Sequence, residues 1–291
     1  MSAHLPEPKP AVIVISSHVV RGTVGNRAAV FALEALGFPV WEVPTVILPW
    51  HPGHGPGTRI VAPPEQFVSL LKDLEGSRWL GEVKGVLSGF LGDYRQAEAV
   101  ASLVRAVKAR NPEALYACDP VMGDVGGLYV PQQVAEAMRD QLMPLADIAT
   151  PNRYELAWLA GRDLPDRAAL AEAARAAPPK KMLVTSSPAS VAGRVGNLLV
   201  EGGQELFAEH DLVSNPPNGV GDLTASLYLA RVLGKATPRA ALRATTASVY
   251  EVLQRAASRG SNELQIETDA QSLLHPSAEV VIHHGEPATH E

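Results

Sequence analysis

Short apolar runs at residues 11–16, 83–88, 114–118, 147–150 and 182–185 alternate with amphipathic stretches at 26–36, 94–110, 131–142 and 152–160. Runs of four to six apolar residues suit buried strands, whereas the longer stretches repeat at helical spacing. A strand–helix alternation of this kind forces right-handed crossovers, which stack parallel strands into one sheet and cover both its faces with helices. The expected fold is therefore an α/β three-layer sandwich around a mostly parallel central sheet. Its ligands should gather at the carboxyl ends of the strands.

The alternation breaks once. Residues 191–200 and 205–208 read as a hairpin about Gly202-Gly203, which predicts an antiparallel edge. Helices are expected again at 220–233 and 238–254. With no repeat and no linker, residues 1–291 read as one domain. The ends at 1–10 and 276–291 read as loose tails, with the apolar 280–282 a short edge strand if it pairs.

The formal charge of −6 and the absence of a Lys/Arg block argue against nucleic-acid binding. The apolar run at 11–15 is too short for a membrane span. Cys118 is the single cysteine, so an intrachain disulfide is impossible and a reducing cytoplasm is the expected setting.

Asn218-Gly219-Val220-Gly221-Asp222 opens the apolar helical run that follows it. Two glycines permit a tight turn, and the first amides of the helix would face an anion. A carboxylate at that mouth can accept a proton. Cradle and acceptor together suit phosphoryl transfer to an alcohol, where positioning and charge neutralisation supply most of the catalysis. A plain capped helix start would look the same in isolation.

Three further segments supply companions. In Cys118-Asp119-Pro120-Val121-Met122-Gly123-Asp124 a strand ends in a carboxylate and a second follows five residues on, a pair that suits ATP when Mg²⁺ lies between. In Thr150-Pro151-Asn152-Arg153-Tyr154-Glu155, Asn152 and Glu155 share a helix face and could hold the metal's water shell, form a capping box, or do both. The loop from Ser16 to Asn26 offers hydroxyls and flexible backbone for a polar small molecule. Two Gly/Pro-rich loops, 48–64 and 123–131, are candidates to close over a bound ligand. His51 and His54 lack a third ligand nearby in sequence and do not read as a transition-metal site. The tail histidines His283, His284 and His290 are expected to be solvated.

No Walker loop, protein-kinase set or dinucleotide fingerprint is present. In order, however, Ser17-His18-Val19-Val20-Arg21-Gly22-Thr23-Val24-Gly25-Asn26, Leu87-Ser88-Gly89-Phe90, the Asp119 to Asp124 segment, Thr150-Pro151-Asn152 through Glu155 and Gly219-Val220-Gly221-Asp222 resemble pyridoxal kinases of the ribokinase-like superfamily. The resemblance implies ATP-dependent phosphorylation of the 5′-hydroxymethyl of pyridoxal, Mg²⁺ with K⁺ as an accessory ion, and a homodimer. It implies Asp222 as base and the Gly219, Val220 and Gly221 amides as anion hole. Ser17, Val20, His51, Pro52 and Phe90 fall on the substrate side. Asp119, Asp124, Thr150, Asn152, Glu155, Thr185, Ser186, Val213, Asn218 and Gly221 fall on the ATP side, with Asp119, Asp124 and Glu155 toward the metal.

Two positions depart from that pattern. Pro52 stands where many members place a hydroxyl, and Phe90 stands where a tyrosine is common. Trp50 and His51 are positioned to compensate by stacking and hydrogen bonding. Because both departures are on the substrate side, a kinase for hydroxymethylpyrimidine or another heteroaromatic alcohol is the rival enzyme reading. A weakly catalytic vitamin B6 binding protein is the rival from another class.

Overall fold

The computed structural model describes residues 9–284. The chain runs β1 (Ala11–Val19), α1 (Asn26–Ala35), β2 (Val40–Leu48), α2 (Pro64–Glu75), β3 (Val83–Ser88), α3 (Gln96–Arg110) and β4 (Leu115–Cys118). It continues through β5 (Gly123–Asp124), β6 (Gly127–Leu128), α4 (Gln132–Ala137), β7 (Ile148–Ala149), α5 (Arg153–Ala160), α6 (Arg167–Ala176) and β8 (Lys181–Pro188). The hairpin β9 (Arg194–Glu201) and β10 (Gln204–Asp211) precedes α7 (Val220–Leu233), α8 (Pro238–Ser258), α9 (Ala270–Leu274) and β11 (Val281–His284).

One sheet of nine strands has the order β11-β10-β9-β8-β7-β4-β3-β1-β2. From β2 to β8 neighbouring strands are parallel, and from β8 to β11 antiparallel. The expected antiparallel edge is present. It is extended by β11, so of the two readings of the tail the short edge strand holds at Val281–His284, with Val281 opposite Glu209. Residues 1–8 and 285–291, including His290, lie outside the described residues. His283 and His284 are exposed, as expected, and each still has a polar neighbour: His283 lies 3.1 Å from Glu209, and His284 accepts from Arg239 at 2.8 Å.

Strand β1 shows why the sequence folds this way. Its residues alternate between two cores: Ile13 and Ile15 pack with Phe67 of α2 and with Val100 and Val104 of α3, while Val12 and Val14 pack with Ala29 and Leu33 of α1 and with α7 and α8. A strand buried on both faces must be apolar throughout, which is why the run is legible. Each such side chain contributes about 1.5–3 kcal/mol on burial.

Strand β2 has no comparable run. Pro44 and Glu42 interrupt it, which an edge strand tolerates because one rim of its backbone needs no partner. Helices α2 and α6 are likewise absent from the sequence pattern, α2 because it follows directly on the long Gly/Pro loop. Among the described residues, no helix is long and apolar enough to cross a membrane.

Connections step from β1 outward to β2, then back across β1 to β3 and onward to β4, β7 and β8. The reversal opens a crevice beyond the carboxyl ends of β1 and β3, where open α/β sheets bind ligands.

Candidate active site at the carboxyl edge of the sheet

Backbone hydrogen bonds run past the strand ends and fix one row of loops. Gly89 N–H donates to Ile15 O at 2.9 Å, Asp119 N–H to Ser88 O at 2.8 Å, Thr150 N–H to Cys118 O at 3.1 Å and Thr185 N–H to Pro151 O at 2.9 Å. Ser17, Phe90, Asp119, Thr150 and Thr185, far apart in sequence, thus stand at neighbouring strand ends.

Helix α7 opens on the glycine turn expected to cradle an anion. Gly219 caps it at φ 93°, in the left-handed region, and a β-carbon there would overlap the Thr23 carbonyl oxygen. The amides of Val220 and Gly221 precede any carbonyl four residues back, so they point out of the helix with its positive end. Asp222 sits in the same first turn and is half-buried. Burial pushes its carboxyl up to about 6, against the pull of the Gly25 amide and its own. A group with that value is ionised at neutral pH yet basic enough to take a proton.

Asp119 is 5% exposed and accepts from Thr150 Oγ1 at 2.8 Å. Its Oδ2 would lie 4.0 Å from a β-carbon placed on Gly221, so acid and cradle face one space. Burial and the charge of Asp222 hold its carboxyl well above the usual carboxylate range. Glu155, 4% exposed, is raised by burial and by Asp119. Three acids are thus crowded around the cradle, with Asp119 repelled by Asp222 and Glu155 by Asp119.

That repulsion has a measurable cost. A carboxyl harder to ionise in the fold than in the unfolded chain destabilises the fold progressively as pH rises from about 4 toward its raised native value. Asp119→Asn, which still accepts from Thr150, is expected to raise the Tm of the ligand-free protein in chelating buffer by about 2–4 °C near pH 8, with a smaller gain near pH 5. A thermal scan showing equal or lower Tm at both values would refute the repulsion.

Glu155 and Asn152 form the capping box. Asn152 Oδ1 accepts from Tyr154 N–H and Glu155 N–H at 2.8 and 2.9 Å, while Glu155 Oε2 accepts from Asn152 N–H at 2.8 Å. Glu155 Oε1 accepts from Met122 N–H at 3.0 Å, and Asn152 Nδ2 donates to Gly123 O at 2.8 Å. Both side chains therefore hold the 122–124 turn in place. Asp124 is exposed and caps its own turn by accepting from Gly126 N–H at 2.9 Å.

Among the described residues, no group of three or more His, Cys, Asp or Glu side chains is arranged to bind a metal directly. Asp119, Asp124 and Glu155 do not form a direct trio. The set still fits Mg²⁺, which keeps several waters and takes one or two carboxylates with substrate phosphates. A divalent cation there would relieve the repulsion among Asp119, Glu155 and Asp222.

On the nucleotide side, Ser186 has φ 55° where β8 loses register with β9, an unusual backbone for a residue other than glycine. Thr185 is partly buried beside Asn152, Val213 packs on the α7–α8–α9 cluster, and Asn218 is exposed.

On the substrate side, Ser17 is buried beneath Gly25 at a bulge in β1, and Phe90 is half-buried with its N–H donating to Ser16 Oγ at 3.0 Å. His51 is half-buried, and burial lowers its imidazole below the ordinary histidine value, keeping it neutral at neutral pH. Pro52 begins a short turn and is exposed, and Val20 is 67% exposed, so neither is buried in the crevice. Sequence reasoning missed Tyr129 and Glu263; Ser16 it named only as part of the loop of hydroxyls. Tyr129, 53% exposed, has its hydroxyl raised above the usual tyrosine range by partial burial and then by the negative charge of Glu155, Asp119, Asp222 and Asp124.

The sequence model of the phosphomethylpyrimidine kinase family matches residues 69–267. A pyridoxal kinase PdxY of Granulibacter bethesdensis is 39% identical over 276 residues, covering 91% of this chain and 96% of that protein. The Rubrobacter xylanophilus pyridoxal kinase PdxY is 38% identical over 91% of this chain and 94% of its own. The structure of Leishmania donovani pyridoxal kinase in complex with ADP and pyridoxine superimposes with a TM-score of 0.87 at 27% identity, over 94% of this chain and 99% of that one. With a ribokinase-like fold, an acid at the mouth of the α7 cradle and relatives of this identity across nearly its full length, the chain belongs to the pyridoxal kinase family.

Proposed function

We propose that the protein transfers the γ-phosphoryl group of ATP to the 5′-hydroxymethyl of pyridoxal, giving pyridoxal 5′-phosphate and ADP. The observation that carries the reading is the half-buried Asp222 in the first turn of α7, beside outward amides and across Gly221 from Asp119. The bound ADP and pyridoxine named for the Leishmania relative support it.

Asp222 takes the hydroxyl proton as the oxygen attacks phosphorus, and the Val220 and Gly221 amides receive the charge on the transferred group. Asp119, with Glu155 and Asp124 acting through water, would hold Mg²⁺, which when bound neutralises phosphate charge. Thr150, Thr185, Ser186, Val213 and Asn218 are the proposed ATP contacts. Ser17, His51 and Phe90 are the proposed substrate contacts, Phe90 supplying a ring without a hydroxyl; Val20 and Pro52 are placed at the rim of that side. We further propose a single kinase domain, supported by the one continuous sheet. A homodimer, an accessory K⁺ and a cytoplasmic setting complete the proposal, the last in keeping with a lone buried Cys118.

A coupled ADP-release assay with Mg²⁺ tests it across pyridoxal, pyridoxine, pyridoxamine and hydroxymethylpyrimidine. The expected result is a kcat/KM for pyridoxal at least ~10-fold above that for hydroxymethylpyrimidine. The reverse order would assign the pyrimidine alcohol instead, and no ADP release with any of them would leave a binding protein.

A further inference from the structure

Glu263 belongs to none of the motifs that form the crevice and sits in the short segment between α8 and α9, yet its side chain is only 11% exposed. It accepts from Thr23 N–H at 3.2 Å, from Arg21 Nη1 at 3.1 Å and from His54 Nε2 at 2.9 Å. Gly22 makes room for it: a β-carbon there would sit 2.6 Å from Glu263 Oε1. Its backbone bridges to Asn218, next to the cradle glycine, and Thr23 Oγ1 donates to Leu264 O at 2.7 Å.

One carboxylate therefore joins three pieces of the site that are remote in sequence. These are the β1–α1 loop that follows Val19, the Gly/Pro-rich segment carrying His51 and His54, and the entry to α7. His54 stands edge-on to His51 with ring centroids 6.3 Å apart, and His51 Nδ1 accepts from Gly53 N–H at 3.1 Å. The chain of contact runs from Glu263 to His54 to the His51 ring. Glycine and proline leave residues 52–57 few packing contacts of their own, with Pro52, Gly53, Pro56 and Gly57 all exposed. A buried carboxylate that anchors such a loop through one imidazole is a fastening point, because a charge-assisted hydrogen bond shielded from water is stronger than a neutral exposed one.

We propose that Glu263 is a positioning residue for the vitamer. Through His54 it holds the 51–57 segment against the β1–α1 loop, and so sets the placement of His51 toward the substrate. This rests on the reading of the protein as a pyridoxal kinase and adds a residue that acts on substrate binding without touching substrate. In Glu263→Gln the single amide oxygen can stay toward Arg21 and His54 only by giving up the Thr23 N–H, and the carboxylate charge that strengthens the His54 contact is lost.

The test is a double-mutant cycle of Glu263→Gln and His54→Ala, with KM for pyridoxal and for ATP measured separately. Each single variant is expected to raise the pyridoxal KM about tenfold, with the ATP KM and kcat within about twofold of wild type, and the double variant is expected to be no worse than either. Additive effects, an unchanged pyridoxal KM, or parallel rises in both KM values would overturn the proposal, the last marking general loosening. If Glu263→Gln does not fold, His54→Ala alone decides, since its segment is on the surface: an unchanged pyridoxal KM rejects the fastening. Wild-type protein without turnover on pyridoxal would fail the functional reading itself, whereas a turning-over wild type with unaffected variants fails only this one.

Discussion

Asp222→Asn is expected to lower kcat for pyridoxal by ~10²–10⁴-fold while leaving the pyridoxal KM within about threefold. Asparagine keeps the volume and an acceptor oxygen toward the Gly25 amide but cannot take a proton from the attacking hydroxymethyl. The helix and its outward amides remain, so ground-state binding should survive. The same variant has a second readout. Because burial raises Asp222 to about 6, the wild-type kcat/KM should fall about tenfold per pH unit below that value, as the base becomes protonated, and level off above it. In Asp222→Asn that acid limb should vanish from the residual rate. Steady-state kinetics from about pH 5 to 8 check both statements, and near-normal turnover in the variant would remove Asp222 from its role.

Gly219→Ala is expected to cut kcat/KM by at least ~10²-fold and to lower Tm by about 4–8 °C. Two costs combine. A φ of 93° is strained for any residue with a β-carbon, by roughly 1–2 kcal/mol, and the new carbon would overlap the Thr23 carbonyl. Thr23 cannot retreat easily, since Leu264 and Glu263 hold it. The first turn of α7 must therefore move, taking the Val220 and Gly221 amides and Asp222 with it. Gly221→Ala is the control for stability. Its φ is ordinary and the nearest atom, Asp119 Oδ2, is 4.0 Å away, so its Tm should stay within about 2 °C of wild type. Similar thermal losses in both variants would mean that the backbone at Gly219 has no special place.

Much of this site is legible in the amino-acid sequence, for a local reason. Asp222 follows its glycines directly, Asp119 ends an apolar strand, and Asn152 and Glu155 are one helical turn apart, so the geometry of each group is set within a few residues. The capping box shows the limit of such reading. Local spacing allows Asn152 and Glu155 to be cap, metal shell or both, and only the arrival of Met122 and Gly123 from another strand end shows both Glu155 oxygens accepting from amides. The metal-side acids illustrate it again. Five residues separate Asp119 from Asp124, but a two-residue hairpin turns Asp124 outward to cap Gly126, while Asp119 stays buried.

Strand patterning follows the same division. Strand β1 is apolar at every position from Ala11 to Ile15 because helices cover it on both faces, and that burial is written residue by residue. Strand β2 is an edge, so Glu42 and Pro44 cost it little, and no run announces it.

The sequence by itself determined the layers, the parallel order implied by alternating strands and helices, and which residues are proposed as cradle and base. These follow from covalent spacing and local backbone freedom. The tertiary structure alone decided that Asp119 and Asp222 face one space across Gly221, that the charge of Asp222 raises Asp119, and that Glu263 closes on Arg21, Thr23 and His54. Those contacts join residues up to 242 positions apart. No local pattern encodes them, because electrostatic and hydrogen-bonding energies depend on distances that exist only once the sheet has brought its strand ends together.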